Sequence, residues 1–276
     1  MVLVRFAQYV EYENNLTEIS NSLMGLLAGS KLASHLLILN EGSTKLLPEV
    51  FPKVEHIKRF SLTSEKAREI LEEAETHLGT MGTPYILALH EDYMNICINF
   101  VLEGISGFTS NRGTPLAQQH SHFEGKTGKT FSIDSIGQLN VIRCMRNCVI
   151  HNGGKVSQAL VTAIANLTPS AISDWGKLAE VPINSMLIGK PFRFGHSEMI
   201  LTLAITKKLA KEANEILQTS ISIDLWADLV IKEMMLVDSH LLSRPDILRK
   251  VNGYARHNFG ALSLSSQDLE NAISRV

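Results

Sequence analysis

The sequence predicts an all-α protein, a helical bundle with additional helices at both ends. Apolar residues recur at three- and four-residue steps, first in the stripe Leu16, Ile19, Leu23, Leu26 and Leu27. Segments with the alternating pattern of strands are nearly absent. Hydrophobic residues make up 45% of the 276 residues, which is enough to bury a substantial core. We therefore expect more than half of the residues to be helical.

Local signals place the individual helices. Ser64 begins one helix, and Pro84 stands at a favourable first-turn position before the apolar helix Tyr85–Glu103. Asp134 is the predicted N-cap of a helix that ends before Asn152-Gly153-Gly154, since glycine readily adopts the left-handed conformation found after helices. Further helices are predicted at residues 157–166, 197–217, 224–237, 245–255 and 266–274.

Two segments depart from this helical pattern. Residues 104–132 are rich in Gly, Ser and Thr and predict a long irregular segment. Residues 186–194 predict a small β-hairpin that turns at Gly189-Lys190-Pro191. We expect residues 1–80 to form an N-terminal helical extension, residues 81–240 the central bundle and residues 241–276 a C-terminal helical tail.

The composition indicates a cytoplasmic protein. Three cysteines, an odd number, and no small-residue cleavage site near the N-terminus favour a reducing compartment. No apolar run reaches the roughly 18 residues needed to cross a bilayer. The formal net charge of −2 indicates no global attraction to nucleic acid or to a membrane surface.

Basic side chains are nevertheless concentrated in residues 107–157, which carry six of them against two acidic ones. Such a cationic stretch is a candidate surface for phosphate groups. The candidate substrate-binding residues are Arg112, Lys126, Lys129, Arg143 and Lys155.

A polar stripe crosses the predicted helix at 134–151. Arg143, Asn147 and His151 are spaced four residues apart, and Arg146 lies about 60° round the helix from Arg143. These groups are costly to bury without partners, so we expect the stripe to face a cleft or a subunit interface. Histidine moves protons near neutral pH, and a guanidinium stabilises a phosphorane. Together they suit RNA cleavage by the internal 2′-hydroxyl, which requires no metal or other cofactor, and Asn147 is positioned to orient the imidazole.

The motif that contains these residues is Arg146-Asn147-Cys148-Val149-Ile150-His151. It resembles the active-site motif of HEPN-type ribonucleases in its Arg-Asn-x-x-x-His form, and Asn152-Gly153-Gly154 is similar to the tail that follows it in many such sequences. The resemblance extends in pattern from about Pro84 to Val237.

The resemblance implies a bundle that pairs about a two-fold axis, so that two copies of Arg146 and His151 form one composite site. It further implies metal-independent endoribonuclease activity on RNA in antiviral defence, toxin–antitoxin or RNA-processing roles, with an antitoxin or sensor protein as an additional partner. Arg146, Asn147 and His151 take the motif positions. Glu91, or less favourably Asp92, corresponds to an acidic residue that the family carries on the preceding long helix.

Other interpretations of these residues remain open. The chain is alternatively a catalytically inactive HEPN-like module that dimerises or regulates a partner effector, or a helical adaptor whose Arg-His row forms an interface. Cys144, Cys148 and His151, with Cys97, are alternatively the ligands of a Zn²⁺ ion. His120, His122 and Glu124 are alternatively the ligands of a metal ion. Residues 125–130 lack the spacing of a nucleotide-binding P-loop.

Overall fold

The computed structural model describes residues 2–39, 41–53, 61–104, 106, 113–180, 182–183, 186–240, 242 and 245–276. Helix accounts for 76% of the described residues. Within the described ranges, β-pairing is limited to two isolated bridges, Leu46 with Thr63 and Lys155 with Pro191. The all-α class predicted from the sequence is therefore confirmed.

The described residues contain twelve α-helices. They are α1 (Ala7–Ile38), α2 (Leu47–Val50), α3 (Ser64–Glu72), α4 (Ala74–Glu103), α5 (Leu116–Thr127), α6 (Ile133–His151), α7 (Gln158–Ala165), α8 (Pro169–Ala179), α9 (His196–Ser220), α10 (Ile223–Val237), α11 (Ile247–Asn258) and α12 (Ser266–Ser274).

Serine and threonine side chains begin several of these helices. In α3, α7, α8, α10 and α12, the hydroxyl of the N-cap residue accepts a hydrogen bond from the backbone N–H three residues later. This bond satisfies one of the donors that have no partner inside the helix. Helix α8 was not predicted, although Thr168-Pro169 carries its start signal.

Residues 104–132 were predicted to be irregular, and this prediction is wrong for the second half of the segment, where α5 forms. Helix α5 ends at Gly128, which has φ +67° and whose N–H donates to the Glu124 carbonyl. Gln119, His120 and Phe123 are buried on one face of this helix. Burial of that face stabilises a helix that its polar and glycine-rich sequence does not favour by itself.

Helix α4 begins at Ala74, eleven residues before the predicted start at Tyr85, and Pro84 lies inside it. Close packing accompanies this early start. A Cβ at Gly79 would lie 2.7 Å from the Gly195 carbonyl oxygen, and one at Gly82 would lie 3.0 Å from the Leu23 side chain. The start of α6 was also misplaced, because Ser132 rather than Asp134 accepts from the first-turn N–H of Ser135.

The chain divides into two compact units, each made of separate stretches. The first unit contains Met1–Leu16, Leu87–Asn140 and Ala204–Val276, and the second contains Thr17–Ile86 and Val141–Leu203. Their boundaries fall within helices α1, α4, α6 and α9. The three consecutive segments expected from the sequence stay a prediction.

An aromatic cluster forms the core of the first unit. Trp226 is fully buried, and its ring centroid lies 5.2 Å from that of Phe100, 5.9 Å from Phe6 and 6.1 Å from Phe259. The buried Glu233 carboxylate accepts from the Ala7 N–H at 2.7 Å and from the Tyr254 hydroxyl at 2.8 Å. These bonds compensate for the burial of a charged group, and burial raises the pKa of Glu233.

Two buried histidines are paired in the same unit. His90 Nε2 and His120 Nε2 lie 3.1 Å apart, and the two side chains are 0% and 7% exposed. His90 Nδ1 also lies 3.5 Å from the Tyr12 hydroxyl. Since one ring N–H must donate to the other ring's nitrogen, the pair is stable with both imidazoles neutral. Burial lowers the pKa of His90 well below its ordinary value and lowers that of His120 to about 4.

We expect the paired histidines to destabilise the fold in mild acid. An unfolded histidine binds a proton below about 6.5, whereas folded His120 does so only near 4. This contribution to stability is complete above about 6.5 and is lost as the pH falls toward 4, at up to about 1.4 kcal/mol per pH unit. We compare the free energy of unfolding in urea at pH 7 and at pH 5. It should decrease less between these pH values in His120→Gln than in wild type. The exposed His35→Gln serves as the control, and an unchanged pH dependence in His120→Gln would contradict the assignment.

Candidate active site at the end of helix α6

Helix α6 places its polar stripe opposite its buried face. Val141, Ile142, Met145 and Cys148 are fully buried. Arg143, Arg146 and Asn147 are half-buried, and His151 is exposed in the last turn. These apolar residues hold the C-terminal part of α6 in the core of the second unit, so the polar residues remain accessible at one end of the helix.

Hydrogen bonds join Arg146 to the two other polar residues of the motif, Asn147 and His151. Arg146 Nη1 donates to Asn147 Oδ1 at 3.2 Å and lies 3.1 Å from His151 Nε2. A guanidinium can only donate, so His151 Nε2 accepts and the ring proton resides on Nδ1. The sequence predicted that Asn147 would orient the imidazole. In the structure Arg146 contacts the imidazole, and Asn147 orients Arg146.

The chain reverses its direction directly after His151. Gly153 and Gly154 both adopt the left-handed conformation, with φ values of +58° and +72°. The Gly154 N–H donates to the Cys148 carbonyl at 2.9 Å, and Asn152 Nδ2 donates to the Lys155 carbonyl at 2.7 Å. The first bond satisfies a carbonyl in the last turn of α6, where the helix ends at the histidine, and the second holds the chain that follows.

The reversed chain pairs with residues 189–192, which corrects the predicted hairpin. Residues around Gly189 do form a turn, with φ +77° at Gly189. However, the Val156 N–H donates to the Lys190 carbonyl at 2.9 Å, and the Phe192 N–H donates to the Gly154 carbonyl at 2.7 Å. The segment therefore pairs with the chain after α6, which the glycine reversal brings alongside it. Sequence reasoning missed this partner; the turn at Gly189 was its only local signal.

The structure distributes the remaining candidate residues between the units. Arg143 and the exposed Lys155 belong to the second unit with the motif. Lys126, Lys129 and Glu91 belong to the first unit. The Glu91 side chain is half-buried on α4, and its backbone carbonyl accepts from Gln119 Nε2 at 2.8 Å. Arg112 lies outside the described residues.

The alternative metal sites do not form among the described residues, which contain no group of three or more His, Cys, Asp or Glu side chains able to hold a metal ion. The fully buried Cys148 thiol donates to Ser157 Oγ at 3.4 Å, whereas His151 is exposed. Burial raises the pKa of Cys144 and raises that of Cys97 to about 12, so both are neutral thiols near pH 7.

Two observations bear on compartment and membrane association. Cys97, Cys144 and Cys148 are all free thiols. Within the described part of the chain, no helix combines the length and apolarity needed to span a membrane.

Comparisons with protein-family models, with curated proteins and with solved structures give no match. The resemblance to HEPN-type ribonucleases rests on the motif and its Asn-Gly-Gly tail.

A glycine in the reversal after α6 and a glycine inside a helix should respond in opposite ways to substitution by alanine. Gly153 and Gly25 both have open space where a Cβ would lie, but only Gly153 has positive φ. Gly153→Ala should reduce the free energy of unfolding by about 1–2 kcal/mol, because an L-residue disfavours the left-handed conformation. Gly25→Ala, within helix α1, should raise it by up to about 1 kcal/mol. Urea unfolding of both variants checks this, and shifts in the same direction would argue against a left-handed requirement at Gly153.

Proposed function

We propose that this protein is a metal-independent endoribonuclease that uses Arg146, Asn147 and His151 as its catalytic residues. One observation carries the proposal: a single guanidinium bonds both the histidine and the asparagine of the motif at the accessible end of α6. The arrangement combines a proton acceptor with fixed positive charge within hydrogen-bond distance, as phosphate ester cleavage requires.

The chemistry follows from the atoms that these residues present. His151 Nε2 has a lone pair and accepts the proton of the ribose 2′-hydroxyl when substrate displaces the Arg146 contact. The 2′-oxygen then forms a bond to the adjacent phosphorus while the bond to the 5′-oxygen breaks. Arg146 N–H groups donate to the equatorial oxygens of the pentacoordinate phosphorane. The products are a 2′,3′-cyclic phosphate and a 5′-hydroxyl.

The leaving 5′-oxygen needs a proton, and a second copy of the motif would supply it. In a two-fold dimer, one imidazole acts as base while the other, in its protonated form, acts as acid. We therefore propose a homodimer with a composite site. Because His151 is exposed and Arg146 half-buried, both are accessible to such a partner.

Neighbouring charges support an anionic substrate. Arg143 and Lys155 belong to the same unit as the motif, before and after its catalytic residues in the chain. We propose that they contact flanking phosphates. Arg112, Lys126 and Lys129 stay proposed RNA-binding residues in their own right. Glu91 stays proposed as the catalytic counterpart of the family's acidic residue, as the resemblance implies. Binding should weaken with added salt, because each neutralised phosphate releases counterions.

The proposed setting is the cytoplasm, where the three free thiols would stay reduced. An RNase that acts on cellular or viral RNA would serve as a defence or toxin effector, and an antitoxin or sensor protein would control it. The regulatory alternative, a dimer that cleaves no RNA and instead binds a partner effector, is the outcome that the following experiments would reveal.

Removal of the His151 or the Arg146 side chain should abolish most RNA cleavage. We expect His151→Ala and Arg146→Ala to reduce the cleavage rate by about 10²-fold or more, since each loses one positioned catalytic group. Cleavage of an RNA pool is measured in excess EDTA, with the ends analysed for 2′,3′-cyclic phosphate. A 2′-deoxy residue at the cleaved position should block the reaction.

The matched control is His35→Ala, because His35 also lies exposed in the last turn of a long helix. It should cleave as wild type does. Loss of activity on chelation, equal cleavage of DNA, or full activity in His151→Ala would each overturn the catalytic assignment.

The composite site predicts that activity depends on dimerisation. Light scattering at micromolar concentrations should give twice the mass of one chain. On dilution, specific activity should fall over the same concentration range in which the dimer dissociates. A monomeric species that keeps full specific activity would exclude the composite site.

A further inference from the structure

A groove of about 580 Å³ opens in the second unit beside the end of α6. Helix α3 and the start of α4 form part of its lining. Val149, the Gly153-Gly154 reversal and the segment Pro191–Arg193 form the rest. Its volume lies in the range of sites that hold small molecules or single nucleotides.

The charges that line the groove are already paired. Lys66 Nζ lies 2.6 Å from Glu69 Oε2, and Arg193 Nη1 lies 3.4 Å from Glu73 Oε2. These ion pairs leave no surplus positive charge to attract a phosphate. They instead offer both hydrogen-bond donors and acceptors, as do the hydroxyls of lining threonines on α4.

The groove also has apolar surface. Ile70 is 41% exposed there, and Val149 and Phe192 contribute further lining. A flat heteroaromatic ring has apolar faces and a polar edge, which match a groove of this mixed character. A nucleobase fits this description better than a phosphate does.

We propose that this groove holds an unpaired nucleobase of the RNA whose adjacent phosphate reacts at Arg146 and His151. The inference rests on the proposed function. Val149 stands three residues after Arg146, and residues three apart are neighbours on a helix surface, so the groove lies beside the arginine at the end of α6. The base would be held by apolar contact with Ile70 and Val149 and by edge hydrogen bonds, while the charged phosphate interacts with the arginine.

The carboxylates of Glu69 and Glu73 make the groove selective. A carboxylate accepts hydrogen bonds, and the exocyclic amino groups of adenine, cytosine and guanine donate them. Uracil has no amino group. RNA cleavage should therefore favour sites beside amino-bearing bases over sites beside uracil.

Filling the groove tests the proposal. Thr76→Trp places a large ring in the groove, and Met81→Trp is the matched control on the same helix at an exposed position outside the lining. Binding of a short single-stranded RNA is measured with both substitutions in His151→Ala full-length protein, which keeps the RNA intact. Thr76→Trp should weaken binding by about 10-fold, because its ring would occupy the space of one base, and Met81→Trp should not.

An abasic residue in the RNA provides the second arm. At the position whose base the groove holds, an abasic residue should weaken RNA binding to the His151→Ala protein by the same factor. It should not weaken binding further when the protein also carries Thr76→Trp. Should Thr76→Trp fail to fold, Glu73→Gln, an exposed change, is tested for loss of discrimination against uracil. Binding unchanged by Thr76→Trp, or discrimination unchanged by Glu73→Gln, would overturn the proposal.

The outcomes separate this inference from the catalytic one. If wild type cuts no RNA while Thr76→Trp still weakens RNA binding, the catalytic proposal fails and the groove assignment stands. If His151-dependent cleavage occurs but groove filling changes neither binding nor cleavage sites, the groove assignment alone fails. Competition by an extended peptide without any effect of RNA would assign the groove to a protein partner and overturn the nucleobase.

Discussion

Two successive left-handed residues after His151 are the constraint on which the candidate site depends. L-amino acids with side chains disfavour this conformation, and Gly153 and Gly154 adopt it without that penalty. The reversal ends α6 at the histidine and leaves its imidazole exposed. It also directs the chain against residues 189–192, and this pairing forms one side of the neighbouring groove.

Helix α6 has a buried apolar face and an accessible polar face. Its apolar face is fully buried, and the Cys148 thiol on that face donates to Ser157, the N-cap residue of α7. The polar face carries Arg146, whose donors bond two side chains of its own helix. Because these partners belong to the same helix, the arrangement depends on helical geometry more than on distant packing.

Buried polar groups in the first unit follow a different rule. The His90 and His120 imidazoles bond each other, and Glu233 bonds a backbone N–H and a tyrosine hydroxyl. Each would be costly to bury alone, and each is compensated by a partner far away in the sequence. These polar groups have their partners only when segments distant in the sequence pack correctly. They also contrast with the motif residues, whose partners are local and whose surfaces stay accessible.

The sequence by itself determined the helical class, most helix positions, the polar stripe on α6 and its end at glycine, because periodicity, caps and left-handed residues are local properties. It did not determine helix α5, whose polar sequence is stabilised by burial of Phe123 and its neighbours, or the start of α4 at Ala74, ahead of Pro84. Nor could it identify the partner of residues 189–192, or that Arg146 rather than Asn147 contacts the imidazole. These features depend on residues distant in sequence or on side-chain direction, and only the tertiary structure decides which groups meet.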